Sequence, residues 1–219
     1  GELLAEIDLN RLERDLKKEL EPCSSIQRIK KAGNNFVILS IKSKEYPQEK
    51  FLSCSIDELS NNEDRYLRHT AYTQSNDSEI KSLANKIAMG EKNLLKILRK
   101  INSFVFERLS MNFDKKIKIG LARPKEILSL KTGDCTEYSV LFASLARALG
   151  IPARIVGGVV YDGEYFVYHM WVQVWCKEWI DVDPALQQIG VDATHIAFVS
   201  SDLSERSITE MGLTLTHYI

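Results

Sequence analysis

The stretch "GDCTEYSVLFASLARALGIPAR", residues 133–154, constrains this chain more than any other. Asp134 is a strong helix N-cap, and Glu137, three residues on, completes a capping box. Tyr138, Leu141, Phe142, Leu145, Ala148 and Leu149 recur at helical spacing and define a buried face. Gly150 suits the position just past a helix end, and Ile151-Pro152 prevents continuation. The pattern predicts a helix over 134–149 that begins with Cys135 and must pack against other elements.

At a helix start the backbone N–H groups lack partners, and the helix dipole favours a thiolate over a thiol. The same amides can receive the oxyanion of an acyl-transfer intermediate. From this helix alone, a nucleophile and a small thiol filling space explain Cys135 equally well.

The order of the other segments predicts an α+β fold. "DSEIKSLANKIAMG" and "KNLLKILRKINSFVFERLS" read as amphipathic helices, the second with Leu94, Ile97, Leu98, Ile101, Val105 and Leu109 on one face. "GLARPKEILSLKTGD" reads as a loop with about one helical turn. After 134–149 come three strand-like runs, 153–161, 165–176 and 179–183, with hairpin turns at Asp162-Gly163 and Lys177-Glu178. The Gly157-Gly158 pair inside the first run predicts a bulge or a close backbone approach.

Residues 1–75 have a different character. Leu9, Leu12, Leu16 and Leu20 predict a helix, and "IQRIKKAGNNFVILSIKS" predicts a hairpin around Gly33-Asn34-Asn35. The boundary is placed near Asn76, which gives a small N-terminal α/β appendage over 1–75 and a core over 76–219. The chain starts at Gly1 without a Met, so an upstream signal or domain is expected to have been removed, which would fit an extracytoplasmic protein.

With 29 Lys+Arg against 30 Asp+Glu, the net charge of −1 gives no general pull toward nucleic acid or an anionic membrane. No apolar run approaches the ~20 residues of a membrane span. Cys23, Cys54, Cys135 and Cys176 are too scattered for a disulfide framework, and Cys176 at a hairpin end reads as an inert thiol. No zinc or calcium ligand spacing is present, so no metal or other cofactor is expected.

"YHMWVQVW" places His169 near the start of a strand, and "WIDVDPA" places Asp183 before Pro184. With Cys135 these are the parts of a thiol triad: a nucleophile, an imidazole that takes its proton, and a carboxylate that orients the ring. A two-residue turn at 177–178 would put Asp183 and His169 on opposite faces, so a bulge or a wider turn is required. Asp181 competes for the third role, lies further from His169, and is expected to be an exposed strand residue. His195 reads as structural ahead of a residue that supports the triad from behind or touches substrate, and His69 and His217 lie in the weakly informative ends.

"GDCTEYSVLFASLARALGIPAR", "YHMWVQVW" and "WIDVDPA" together resemble the transglutaminase-like family of papain-like thiol enzymes, in its bacterial form. The resemblance covers about residues 76 to 200. It implies a papain-like core with N-terminal helices and a C-terminal antiparallel sheet. It also implies Cys135 as nucleophile, His169 as base and Asp183 as orienting carboxylate. Met170 stands where bacterial relatives carry a small residue, and is expected to narrow the acyl-donor channel. Ala185 replaces the usual Thr after Asp-Pro. Trp171 is expected to pack beside the site or to line the substrate groove. The implied activity is cleavage of protein or peptide amides through a thioacyl-enzyme, with hydrolysis slightly ahead of transamidation. The competing reading is a non-catalytic scaffold on the same fold, against which the intact Cys/His/Asp set argues.

Overall fold

The computed structural model describes residues 2–8, 24, 26–33, 36–43, 54–59, 64–112 and 121–216. Strands β1 (Glu2–Asp8), β2 (Gln27–Ala32) and β3 (Phe36–Lys42) form an antiparallel sheet in the order β1-β3-β2. The β2–β3 hairpin matches the expected one, while β1 had no clear alternation in "ELLAEID". The helix expected from Leu9 to Leu20 lies outside the described residues.

Two helices follow, α1 (Ser78–Ala88) and α2 (Leu94–Arg108). Asp77 caps the first by accepting from the amides of Glu79 and Ile80, and Asn93 caps the second by accepting from Lys96. Their apolar stripes, Ile80 and Ala84 on α1 and Ile97, Leu98, Ile101 and Val105 on α2, are fully buried. Short strands β4 (Ser110–Met111) and β5 (Thr132–Gly133) pair in parallel on either side of α3 (Pro124–Leu130).

The capped segment forms α4 (Cys135–Ala148), buried along almost its whole length. Its surroundings are α1, α2, α3 and the main sheet, so it is the central helix of the fold. That sheet contains β6 (Ala153–Tyr161), β7 (Phe166–Trp175), β8 (Trp179–Asp183), β9 (Gln188–Ile189) and β10 (His195–Ser201). All neighbours are antiparallel, in the order β10-β6-β7-β8-β9. Helix α5 (Glu205–Thr216) packs on β10 and β6. The fold is thus α+β, with helices ahead of an antiparallel sheet.

The two glycines of β6 permit close approach on both faces. A Cβ on Gly158 would lie 2.0 Å from the carbonyl oxygen of Ile196 on β10, and one on Gly157 would lie 2.9 Å from a Leu215 methyl of α5.

Residues before Asn76 contribute to the same hydrophobic cluster as those after it, through Val37, Leu39, Ile41 and Cys54. The amide of Leu94 donates to the carbonyl of Cys54, and buried Arg147 donates to the carbonyls of Arg68, Ala153 and Asp202. Cys54 is disulfide-bonded to Cys176, closing a sequence separation of 122. This corrects the expectation of unpaired thiols. The bond joins two segments whose proximity only the folded chain creates, so spacing could not reveal it.

Candidate active site

Cys135 occupies the first position of α4 and is half-buried. Asp134 accepts from the amide of Thr136 at 2.8 Å, while its own amide donates to Glu137 Oε2 at 3.0 Å. The capping box therefore fixes the first turn and leaves the Cys135 amide without an intrahelical acceptor. Cys135 is the free cysteine among the described residues; Cys23 lies outside them.

The register of β7 and β8 sets the face that Asp183 occupies. Trp175 pairs with Trp179, and Val172 with Val182. The turn thus has three residues, Cys176 to Glu178, with Lys177 at a φ of 62°. The extra residue moves Asp183 to the face shared by His169 and Trp171. His169 Nε2 donates to Asp183 Oδ2 at 2.6 Å. Its other nitrogen, Nδ1, remains to face Cys135, which acts on the ring as a hydrogen-bonding partner and as a charge.

Both groups are shielded from solvent, with His169 7% exposed and Asp183 fully buried. Burial pushes the His169 imidazole down, but hydrogen bonds and charge from Asp183 and Cys135 outweigh it and hold the ring up to about 9. Burial likewise pushes Asp183 up, and the hydrogen bonds from His169 and His195 prevail, holding it well below the usual carboxylate range.

Asp181 is not the exposed strand residue expected of it. It is fully buried, and Oδ1 accepts from Trp171 Nε1 at 2.9 Å and from Gln173 Nε2 at 2.7 Å. Burial raises its carboxyl despite those two donors. The one-residue register change explains the difference, since it puts Asp181 opposite Gln173 on the inner face. Trp171 is enclosed, 1% exposed, and stacks 6.2 Å from His169. It packs beside the site and does not line a groove.

Met170 does line one. A cleft of about 280 Å³ is bounded by Met170, Tyr168, Thr136, Ile155, Met211 and Leu215, among others. Thr136 adjoins Cys135 in sequence, and Tyr168 and Met170 flank His169. Partial burial, and then the negative charges of Cys135 and Asp134, keep the Tyr168 phenol protonated above its ordinary range. The carbonyl of Met170 accepts from Ser139 Oγ at 3.0 Å, which docks α4 on β7.

His195 is the residue that sequence reasoning undervalued. It is 1% exposed at the start of β10, and its Nε2 lies 3.1 Å from Asp183 Oδ2. A strand read over "THIAFVS" would have brought it to the sheet, although not to Asp183. His69 is exposed and outside this cluster, and His217 lies outside the described residues. His169, Asp183 and His195 each offer a ligand-type atom within 4.8 Å of the others. Each of those atoms already has a hydrogen-bond partner inside the cluster.

Residues 81–184 match the model of the transglutaminase-like superfamily. A protein-glutamine gamma-glutamyltransferase of Pseudomonas aeruginosa is 35% identical in an alignment of 75 positions that covers 28% of this chain and 11% of that protein. The chain thus spans about a tenth of that relative's length. Among solved structures, a Cytophaga hutchinsonii protein provisionally described as a cysteine protease superposes with a TM-score of 0.61 at 14% identity, covering 92% of this chain and 70% of that one. The periplasmic domain of TgpA from Pseudomonas aeruginosa superposes with a TM-score of 0.50 at 18% identity, covering 74% of this chain and 64% of that one. These two likenesses are of fold. The helix of Cys135 and the strands of His169 and Asp183 all lie inside residues 81–184, the segment that matches the transglutaminase-like superfamily.

Proposed function

We propose that this chain is a cysteine-dependent enzyme of protein or peptide amides, with Cys135 as nucleophile, His169 as acid and base, and Asp183 as orienting carboxylate. The observation that carries the reading is the continuous link from Cys135, at a helix start, through His169 to a buried carboxylate.

The Cys135 thiolate attacks the carbonyl carbon, and the Cys135 amide at the start of α4 receives the oxyanion. The C–N bond breaks as the His169 imidazolium protonates the leaving nitrogen, leaving a thioester and a neutral imidazole. Water then attacks the thioester, giving its proton to His169 and its hydroxyl to the acyl carbon, and the carbon–sulfur bond breaks. Asp183 holds the ring tautomer through both halves and stabilises the imidazolium.

Hydrolysis is the proposed outcome. Transfer to an amine follows the same first half, and the similarity to a gamma-glutamyltransferase over 75 residues supports it as the second reading. Residues 1–75 are proposed as an appendage that braces the core of 76–219. An extracytoplasmic location is also proposed, since the Cys54–Cys176 disulfide suits an oxidising compartment. No helix among the described residues is long and apolar enough to cross a membrane.

The test is a brief iodoacetamide pulse at neutral pH with mass spectrometry, beside incubation with casein and a fluorescent primary amine. Cys135 should label far faster than glutathione, and Cys135→Ala should abolish both ammonia or peptide release and amine incorporation. Release without incorporation identifies hydrolysis. A Cys135 no faster than glutathione, with turnover intact in Cys135→Ala, overturns the assignment.

A further inference from the structure

The Asp183 carboxylate has its full complement of hydrogen bonds. Oδ1 accepts from the amides of Ala185 at 2.8 Å and Leu186 at 3.0 Å. Oδ2 accepts from His169 at 2.6 Å and from His195 at 3.1 Å. A carboxylate has about four lone-pair sites, so all are in use. Two donors are backbone and one is the proposed base. The fourth is a side chain from another strand, and no step of the proposed reaction requires it.

His195 is itself fixed. Its Nδ1 lies 3.3 Å from Asp192 Oδ1 and 3.3 Å from Thr194 Oγ1, while the Thr194 hydroxyl also bonds Asp192. Its ring meets Trp171 edge-on, with centroids 5.2 Å apart at 81°. The main chain at His195 is paired with Val160 on β6. A buried imidazole with both nitrogens engaged and its ring wedged against an indole has little freedom. The titratable groups facing His195 are buried Asp183, half-exposed Asp192, the His169 ring with centroids 5.8 Å apart, and the charge of buried Asp181.

We infer that His195 is a positioning residue for the Asp183–His169 pair. Its Nε2–H holds Oδ2 in the plane that His169 requires, from the side opposite the backbone donors on Oδ1. Without it Oδ2 would keep a single partner, and the carboxylate could rotate about its Cβ–Cγ bond toward the vacated space. His169 would then lose the alignment that keeps Nδ1 directed at Cys135. The inference rests on the proposed triad for its catalytic meaning, while its structural content concerns His169 and Asp183 alone.

The two parts separate in experiment. The His169 ring is titrated by NMR in the wild type, His195→Phe and His195→Gln, with the pH profile of iodoacetamide labelling at Cys135 recorded in parallel. Phe keeps a ring against Trp171 but has no donor; Gln places an amide N–H near the site of Nε2. The His169 midpoint should fall by about one pH unit or more in His195→Phe and return most of the way in His195→Gln. The labelling profile should follow, with about a tenfold drop at neutral pH for Phe. An unchanged His169 midpoint in folded His195→Phe overturns the inference.

If His195→Phe does not fold, His195→Asn replaces it, because its shorter amide reaches the place of Nδ1 and not that of Nε2. Equal midpoints for the Asn and Gln variants would then count against the idea. A shifted His169 midpoint with an unreactive wild-type Cys135 would sustain the positioning role and refute the triad reading.

Discussion

The side chain of Gln27 donates to the carbonyl of Ala197 at 3.0 Å and accepts from the amide of the same residue at 2.9 Å, across 170 positions of sequence. Ala197 sits on the outermost strand of the main sheet, where the register with β6 shifts before Val199. One amide side chain thus supplies what a neighbouring strand would have supplied. Gln27→Ala should leave both backbone groups unpaired in a buried place and cost about 1–3 kcal/mol. Urea denaturation measures it; a loss below a few tenths would mean that water replaces the amide.

The disulfide should matter in proportion to the chain it closes. Cys54 and Cys176 are 122 residues apart, and the double variant Cys54→Ser/Cys176→Ser should lose about 2–5 kcal/mol. Thermal melting with and without reductant is the check. A wild type whose melting point ignores reductant would show the bond to be absent in solution.

His169 gives a dependence on alkaline pH. Its folded value of about 9 lies above the ordinary 6.5, so its contribution to stability is complete below 6.5 and is lost as pH rises through about 9. The free energy of unfolding should therefore decline across that window, and the ring should titrate near its upper end. In Asp183→Asn both the titration and the decline should move down. A ring midpoint near 6.5 in the wild type would contradict the hydrogen-bonded pair.

The two aspartates should behave differently as asparagines. Asp181 is held toward its neutral form by burial, and Asn would still offer one oxygen to Trp171 and Gln173. Activity of Asp181→Asn should stay within a few-fold, with stability at neutral pH unchanged or higher. Asp183 faces donors on both oxygens, so an Asn there must turn an NH2 against either the two histidines or the two backbone amides. Activity should fall about a thousandfold or more. Equal losses in kcat/KM would erase the distinction between them.

Features written in neighbouring residues were the ones legible in sequence. Both ends of α4 could be read from Asp134, Glu137, Gly150 and Pro152, and the need for either a bulge or a wider turn followed from the two faces of a strand, of which the structure uses the turn. The burial of Asp181 depended on which turn was used, and its partners Trp171 and Gln173 become neighbours only after β7 and β8 pair. Strand β10 and helix α5 carried too mixed a pattern to be read, and without β10 the place of His195 was hidden. The pairing of Cys54 with Cys176 belongs to the same class, because it records a meeting that no local pattern encodes.

Strand β8 pairs with β7 only as far back as Val172. At Pro184, which has no N–H to offer, the chain bends away and returns as β9 on the far side of β8. The flank of β7 at Met170 is left to α4, whose Ser139 takes the carbonyl there. A longer β8 would give a more regular sheet and would occupy the ground on which the helix and its cysteine now stand. The sheet is left unfinished on one side, and that unfinished border is where a thiol and an imidazole from separate layers can meet.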